Sequence, residues 1–355
     1  MESFRLKLDR ITSATRNAAL SRDVLISPQI RATEGYVVAA RVLSDKVTYN
    51  EIEDVSGRLI RLRAGDVLAG VLGRRRALKG YAGEVPESIS VGDTLQLLNM
   101  GGIIGRCTSY VDELGLPFDV EILGAVLRIP AAGDRVGEPA DILHGAIPQA
   151  EELRPNLPPV VYVAGTAMNS GKTVACVQIV RHLSKAGLKV AACKLTGVSL
   201  RRDALGMLDA GATHAFTFND AGVATTHDHC AVSVARGIMN HLAGTNADVV
   251  VAELGDGILG EYGVADILED PGLAAAGKAF VVCAPDQVAA WGAHELFETR
   301  FKLPITVMSG PVTDSGVGRD FIQQTLGVPA HNARHDADSL ARAVMEGTGL
   351  AAVPA

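Results

Sequence analysis

Five apolar residues, Val160-Val-Tyr-Val-Ala164, run directly into Gly165-Thr-Ala-Met-Asn-Ser-Gly171-Lys172-Thr173, and a helix-length stretch reaching about Ala186 follows. A buried strand that enters a glycine-rich turn and leaves as a helix is a phosphate cradle in the making. Backbone N–H groups along Gly165, Thr166, Asn169, Ser170 and Gly171 can face an anion at the helix start. Gly171 permits close backbone approach, Lys172 reaches the β- and γ-oxygens of a nucleotide, and the Thr173 hydroxyl can ligate Mg2+. The leading glycine stands one residue farther from Gly-Lys-Thr than in the usual G-x4-G-K-[ST] spacing. The strand before and the helix after therefore carry the assignment.

The same rhythm continues down the chain. Lys189–Lys194, Ala247–Ala252, Ala279–Ala284 and Pro304–Met308 are short apolar runs, separated by helical stretches. Continuous β-branched runs, rather than alternation, mark strands covered on both faces, hence a parallel sheet flanked by helices. Residues 1–130 differ: Tyr36–Leu43, Leu59–Arg63 and Val120–Leu127 read as short strands punctuated by glycine. Gly65-Asp66-Val-Leu68 and Gly92-Asp93-Thr-Leu95 open alike, which admits an internal duplication. Between the two regions, 131–158 is rich in Pro, Gly, Ala and acid and reads as a linker. The expected fold class is α/β, a parallel-sheet P-loop NTPase domain over 159–355 preceded by a small β-rich, barrel-like domain.

A bound nucleotide needs groups beyond its cradle, and in an open parallel sheet they come from the carboxyl ends of neighbouring strands. Lys194 and Glu253 each end a strand, Asp203 follows Lys194, and Gly255-Asp256-Gly257 follows Glu253. Arg201 and Arg202, beside Asp203, are candidates for holding a substrate carboxylate, and His227 for a substrate contact. Arg74-Arg75-Arg76 reads as a solvated turn, with an anion clamp as the alternative. His227-Asp228-His229-Cys230 does not place four metal ligands on one face; Asp228 reads as a helix N-cap. Trp291 reads as a packing or subunit contact.

Gly165-Thr with Lys172-Thr173, the Lys194 strand end, Arg202-Asp-Ala-Leu205, Thr217–His227 and Val-Ala-Glu253 with its glycine loop together resemble dethiobiotin synthetase and the related cobyrinate amide synthetases. The resemblance covers about Val160 to Asp256. It implies that a carboxylate or carbamate oxygen attacks the γ-phosphate of ATP and that an amine captures the mixed anhydride. It also implies Lys172 and Lys194 as neutralisers of phosphate charge, with Thr173, Asp203 and Glu253 as the Mg2+ set. Ala167 and Asn169 stand where dethiobiotin synthetases carry acids. No glutaminase-type cysteine–histidine pair follows Asp256, so any amine comes from outside this chain or from the substrate.

Charge narrows the partners. With 33 basic against 40 acidic residues the net charge is −7, against a broad grip on nucleic acid or an anionic membrane. The charged start Met1–Lys7 and the lack of a spanning apolar run lead to a cytoplasmic expectation. Five cysteines without C-x-x-C spacing are expected as free thiols, with neither disulfide nor zinc. The function expected is that of a Mg2+- and ATP-dependent C–N ligase, a homodimer acting on a small-molecule carboxylate and an amine. A nucleotide-binding switch acting on a partner protein, and a small-molecule kinase, are the alternatives.

Overall fold

The structure is a computed structural model that describes residues 2–128 and 137–351; the Ala131–Asp134 part of the expected linker lies outside the described residues. The chain forms two compact units. One is Met1–Ala146 with Val198–Arg201 and Asn219–Thr225; the other is Ile147–Gly197, Arg202–Phe218 and Thr226–Ala355.

The second unit is built on six strands: β1 (Val160–Gly165), β2 (Val190–Thr196), β3 (His214–Thr217), β4 (Val249–Leu254), β5 (Gly277–Cys283) and β6 (Val307–Ser309). Their spatial order is β3-β2-β4-β1-β5-β6, every neighbour parallel. All residues of β1 and β4 are buried, as continuous apolar runs demand of a sheet covered on both faces. The helix α1 (Lys172–Lys185) buries Ala175, Cys176, Ile179, Val180 and Leu183, a stripe at helical spacing that joins the core under the sheet. Each large aliphatic side chain in that stripe contributes about 1.5–3 kcal/mol by leaving water. β3, which carries no apolar run, was not expected as a strand: His214-Ala-Phe-Thr217 pairs only with β2, at the sheet edge. From β1 the chain crosses to β2 on one side, and β5 lies on the other, so β1 stands at the point where strand order reverses and an open sheet leaves a crevice.

The first unit contains a closed ring. Strand Asp119–Arg128 pairs with Val37–Val42, which pairs with Val67–Leu72, then Ile103–Tyr110, then Thr94–Leu97, and this last pairs back to Asp119–Arg128. The barrel is filled by Val38, Ala40, Leu68, Leu72, Ile104 and Ile122. Val37, Ala39, Ala69, Val71 and Ile103 face outward into a second apolar cluster. The two Gly-Asp turns are built alike. Gly65 N–H donates to Val42 O and Gly92 N–H to Ile122 O; Val42 N–H donates to Asp66 O and Ile122 N–H to Asp93 O. Both glycines have φ near +90°, a conformation that strongly favours glycine. Within the expected linker, Glu138–Pro139 pairs with Leu127–Arg128 in the first unit. In the second, Ala150 N–H donates to Ser233 O and Arg154 N–H to Asn240 Oδ1.

The arginine run is not a solvated turn. Arg75 is buried, donating to Leu98 O and, at 3.4 Å, to the Tyr49 hydroxyl, and Arg74 Nε donates to Glu34 at 2.6 Å. Asp228 is likewise not a cap: the helix runs Ala231–Leu242, Cys230 holds the N-cap position, and Asp228 accepts from the N–H of His229.

Candidate functional site

The loop after β1 is shaped by close approach. A Cβ on Gly165 would lie 2.2 Å from Ser170 Oγ and 2.8 Å from Lys172 Cγ, so any side chain there would fill the turn. Asn169 (φ 62°) and Gly171 (φ 98°) reverse the backbone in the left-handed region before α1 begins at Lys172. Lys172 is folded back over the loop, its Nζ donating to Ala167 O at 2.9 Å and lying 3.5 Å from Ser170 Oγ. Burial pushes the Lys172 amine below its ordinary pKa, with Glu253 opposing.

Two strand ends, those of β2 and β4, and the first turn of the Arg202–Asp209 helix bring charged side chains to this helix start. Thr173 Oγ1 donates to Glu253 Oε1 at 3.2 Å. Glu253 is 2% exposed, and its Oε2 is buried without a hydrogen-bond partner among the described residues. Lys194 Nζ donates to Asp203 Oδ2 and lies 3.6 Å from Glu253 Oε1. Burial works against the charge on Lys194, but Glu253 and Asp203 outweigh it and hold its pKa above the lysine norm. Asp203 is held below the carboxylate norm because Lys194 outweighs burial; for Glu253 burial wins over Lys194, and its pKa is raised. The unpaired Glu253 oxygen and the Thr173 hydroxyl are hard oxygen donors of the kind Mg2+ selects.

The glycines after β4 are also dictated by approach. A Cβ on Gly255 would lie 2.2 Å from Thr196 O, and one on Gly257 2.7 Å from Thr166 O. Between them Asp256 takes φ 72°, tolerated by Asp better than by most residues. Thr196 Oγ1 donates to Gly255 O, tying the ends of β2 and β4 together.

The structure thus brings together Gly165, Thr166, Asn169, Ser170, Gly171, Lys172, Thr173, Lys194, Asp203 and Glu253, with Gly255–Gly257 packed beside them. The other expected residues lie around or away from this group. Arg202 Nε is 3.9 Å from Asp203 Oδ1 on a largely exposed side chain. Arg201 belongs to the first unit, where its N–H donates to Glu53 Oε2 at 2.8 Å and its guanidinium to Val55 O. His227 is partly buried before the Ala231–Leu242 helix, and its Nδ1 accepts from the N–H of His229 at 3.2 Å. Trp291 is 52% exposed on the Gln287–Leu296 helix.

Sequence reasoning missed a cavity of about 80 Å3 on the other side of the loop, lined by Asn169, Gly171, Val174, Gly310, Asp314 and Asn332 among others. Its one sequence signal was position: Gly310-Pro-Val-Thr-Asp314 follows the carboxyl end of β6, where such sheets collect ligands. The turn is packed on the phosphate loop, since a Cβ on Gly310 would lie 2.3 Å from Ser170 O.

Sheet order, loop and the Lys-Thr pair at the helix start define the second unit as a P-loop NTPase domain. No protein-family model matches the chain, and no curated protein matches it. Solved structures resemble it distantly. The signal recognition particle 54 kDa protein of Aeropyrum pernix K1, in complex with GDP, is 18% identical over 55% of this chain and 47% of that one, with TM-score 0.38. The signal recognition particle receptor FtsY of Elizabethkingia anophelis is 12% identical over 57% of this chain and 68% of its own, with TM-score 0.37. Hydrogenase maturation factor HypB of Archaeoglobus fulgidus is 14% identical over 55% and 78%, with TM-score 0.29. The match to the signal recognition particle protein spans about half of that chain's length. At this level of likeness the class rests on the strand order and loop geometry alone. No helix among the described residues is long and apolar enough to cross a membrane.

Proposed function

We propose that this chain binds a Mg2+–nucleoside triphosphate in the Gly165–Thr173 loop and works as a nucleotide-dependent switch or accessory protein on a partner, hydrolysis resetting it. One observation carries the reading: Thr173 and Glu253 meet at 3.2 Å at the start of the loop's helix, with one Glu253 oxygen buried and unpaired. A buried carboxylate oxygen without a partner costs about 1–3 kcal/mol or more, a cost a cation removes. Thr173 and Glu253 would hold Mg2+, which supplies neutralisation of phosphate charge when bound. Lys172, now spending its donors on Ala167 O and Ser170, would exchange them for phosphate oxygens, which are stronger, charged acceptors.

Lys194 favours a switch over the C–N ligase implied by the family resemblance. The ligase reading asks its amine to meet a substrate phosphate, yet that amine is already paired with Asp203. Of the two arginines expected to hold a substrate carboxylate, Arg201 is committed to Glu53 and Val55. The test is titration with fluorescent nucleoside triphosphates with and without Mg2+, followed by phosphate release with no added metabolite. Mg2+-dependent binding and slow basal hydrolysis are expected. Failure to bind any nucleotide overturns the proposal, and hydrolysis that starts only when small carboxylates and an amine are added returns the ligase.

A further inference from the structure

The cavity beside the phosphate loop belongs to no step argued so far, yet it is constructed with care. Asn332 is 3% exposed and uses its whole amide: Nδ2 donates to Thr313 Oγ1 at 3.1 Å and to Asp314 Oδ1 at 2.7 Å, while Oδ1 accepts from the N–H groups of Arg334 and His335. That fully satisfied side chain clamps the Gly310–Asp314 turn to the Asn332–His335 turn and orients the Asp314 carboxylate. The floor is set by close packing, because a Cβ on Gly171 would lie 3.0 Å from Gly310 Cα. Asn169 and Gly171 line both the cavity and the phosphate loop, so a group attached to a bound phosphate chain through a sugar has this cavity next to it.

We infer that the cavity takes the base of the nucleotide and that Asp314 selects guanine over adenine. This rests on the nucleotide-binding reading above and names its substrate class. An ionised carboxylate is an acceptor only. Guanine presents two adjacent donors on its pairing edge, N1–H and the 2-amino group, and a carboxylate can accept from both. Adenine presents an acceptor, N1, beside its 6-amino donor, and an acceptor against a carboxylate is repulsive. Asn332 cannot adapt to adenine instead, because both of its amide atoms are already engaged. Asp314 is exposed at the rim of the cavity, so solvent reaches its carboxylate before the base arrives.

Hypoxanthine keeps N1–H and lacks the 2-amino group, which turns the inference into a cycle. Wild-type protein with Mg2+ is titrated with GTP, ITP and ATP by displacement of a fluorescent triphosphate, and the same is done for Asp314→Ala. The wild type is expected to bind GTP about 10-fold more tightly than ITP, and ATP more weakly still, because an unmatched polar group in a hydrogen-bonding site is costly. Asp314→Ala should bind GTP and ITP equally, the coupling having gone with the carboxylate. ATP bound as tightly as GTP by the wild type, or a GTP-to-ITP ratio unchanged in Asp314→Ala, overturns the inference while leaving the phosphate-loop reading intact. No binding of any triphosphate removes both. The wild-type comparison needs no variant, so it stands even if the substitution disturbs the turn.

Discussion

Among the described residues two glutamates are buried, one in each unit, and their surroundings are opposite. Glu53, fully buried in the barrel unit, accepts the Arg201 N–H, and its charge also acts on Arg16, which is ion-paired with Asp220. Arg16 is pushed down to about 10 by burial and by Arg201, with Glu53 opposing. Glu253, at the phosphate loop, is equally hidden but keeps one oxygen unpaired and a raised pKa. A satisfied buried carboxylate holds chain segments in place; an unsatisfied one is poised for something that is not part of the chain. The first unit uses its carboxylate to hold chain segments; the second leaves one carboxylate oxygen unmatched, the feature on which the proposed Mg2+ site rests.

Breaking that contrast starts at the loop. Lys172→Ala should weaken nucleotide affinity on the order of 100-fold or more, the scale of losing one charged donor to a phosphate. Calorimetry against the triphosphate checks this, and wild-type affinity in the variant would sink the phosphate-loop assignment. The architectural glutamate comes next. Glu53→Gln keeps the shape, weakens the acceptor of the buried Arg201 N–H and removes a buried negative charge that favours the Arg16 cation, so a loss of about 1–3 kcal/mol in urea unfolding is expected.

Glu253→Gln should do the reverse in the nucleotide-free protein. Because burial raises the pKa of Glu253, its contribution to stability is fully present below the unfolded carboxyl range and is lost as pH rises through the folded value. Glutamine carries no such penalty, so the variant should melt about 2–4 °C higher near neutral pH, with the gap closing towards pH 4. Its response to Mg2+ should be lost. A variant that melts lower than wild type at every pH would place Glu253 with Glu53 as an architectural group. The smallest effect belongs to the exposed Arg41–Glu121 pair at 2.9 Å on the barrel surface. Arg41→Ala should change stability by about 0.5 kcal/mol or less, and this sets the scale against which the buried pair is judged.

Much of the second unit was legible residue by residue. Val160–Gly165, the turn and Lys172–Lys185 follow from apolar continuity, a glycine-rich turn and a helix-length stretch, all local properties. Lys194 and Glu253 were found by their places at strand ends and Asp203 by following Lys194, but their mutual pairing was not. Charge matching between β2, β4 and the residue after β2's loop depends on strand order, which periodicity does not encode. The cavity around Asp314 and Asn332 was missed for the same reason: its walls come from stretches about 140–160 residues apart in the chain and none carries a motif.

By itself the sequence determined what is local here: which runs are buried on both faces, where a glycine-rich turn joins strand to helix, and which side chains in the loop can meet an anion. The tertiary structure decided what depends on distant segments. Closing the barrel requires Thr94–Leu97 to pair back to Asp119–Arg128, and no period in either strand states that. Arg201 lies one residue from the helix that carries Asp203, and sequence proximity placed it in the nucleotide site. Instead Val198–Arg201 packs in the barrel unit, with Ser199 O accepting from Asn99 and Arg201 N–H donating to Glu53. The reason is energetic. A buried glutamate and a buried asparagine in that unit need hydrogen-bond partners, and leaving either unmatched costs more than redirecting four residues of loop.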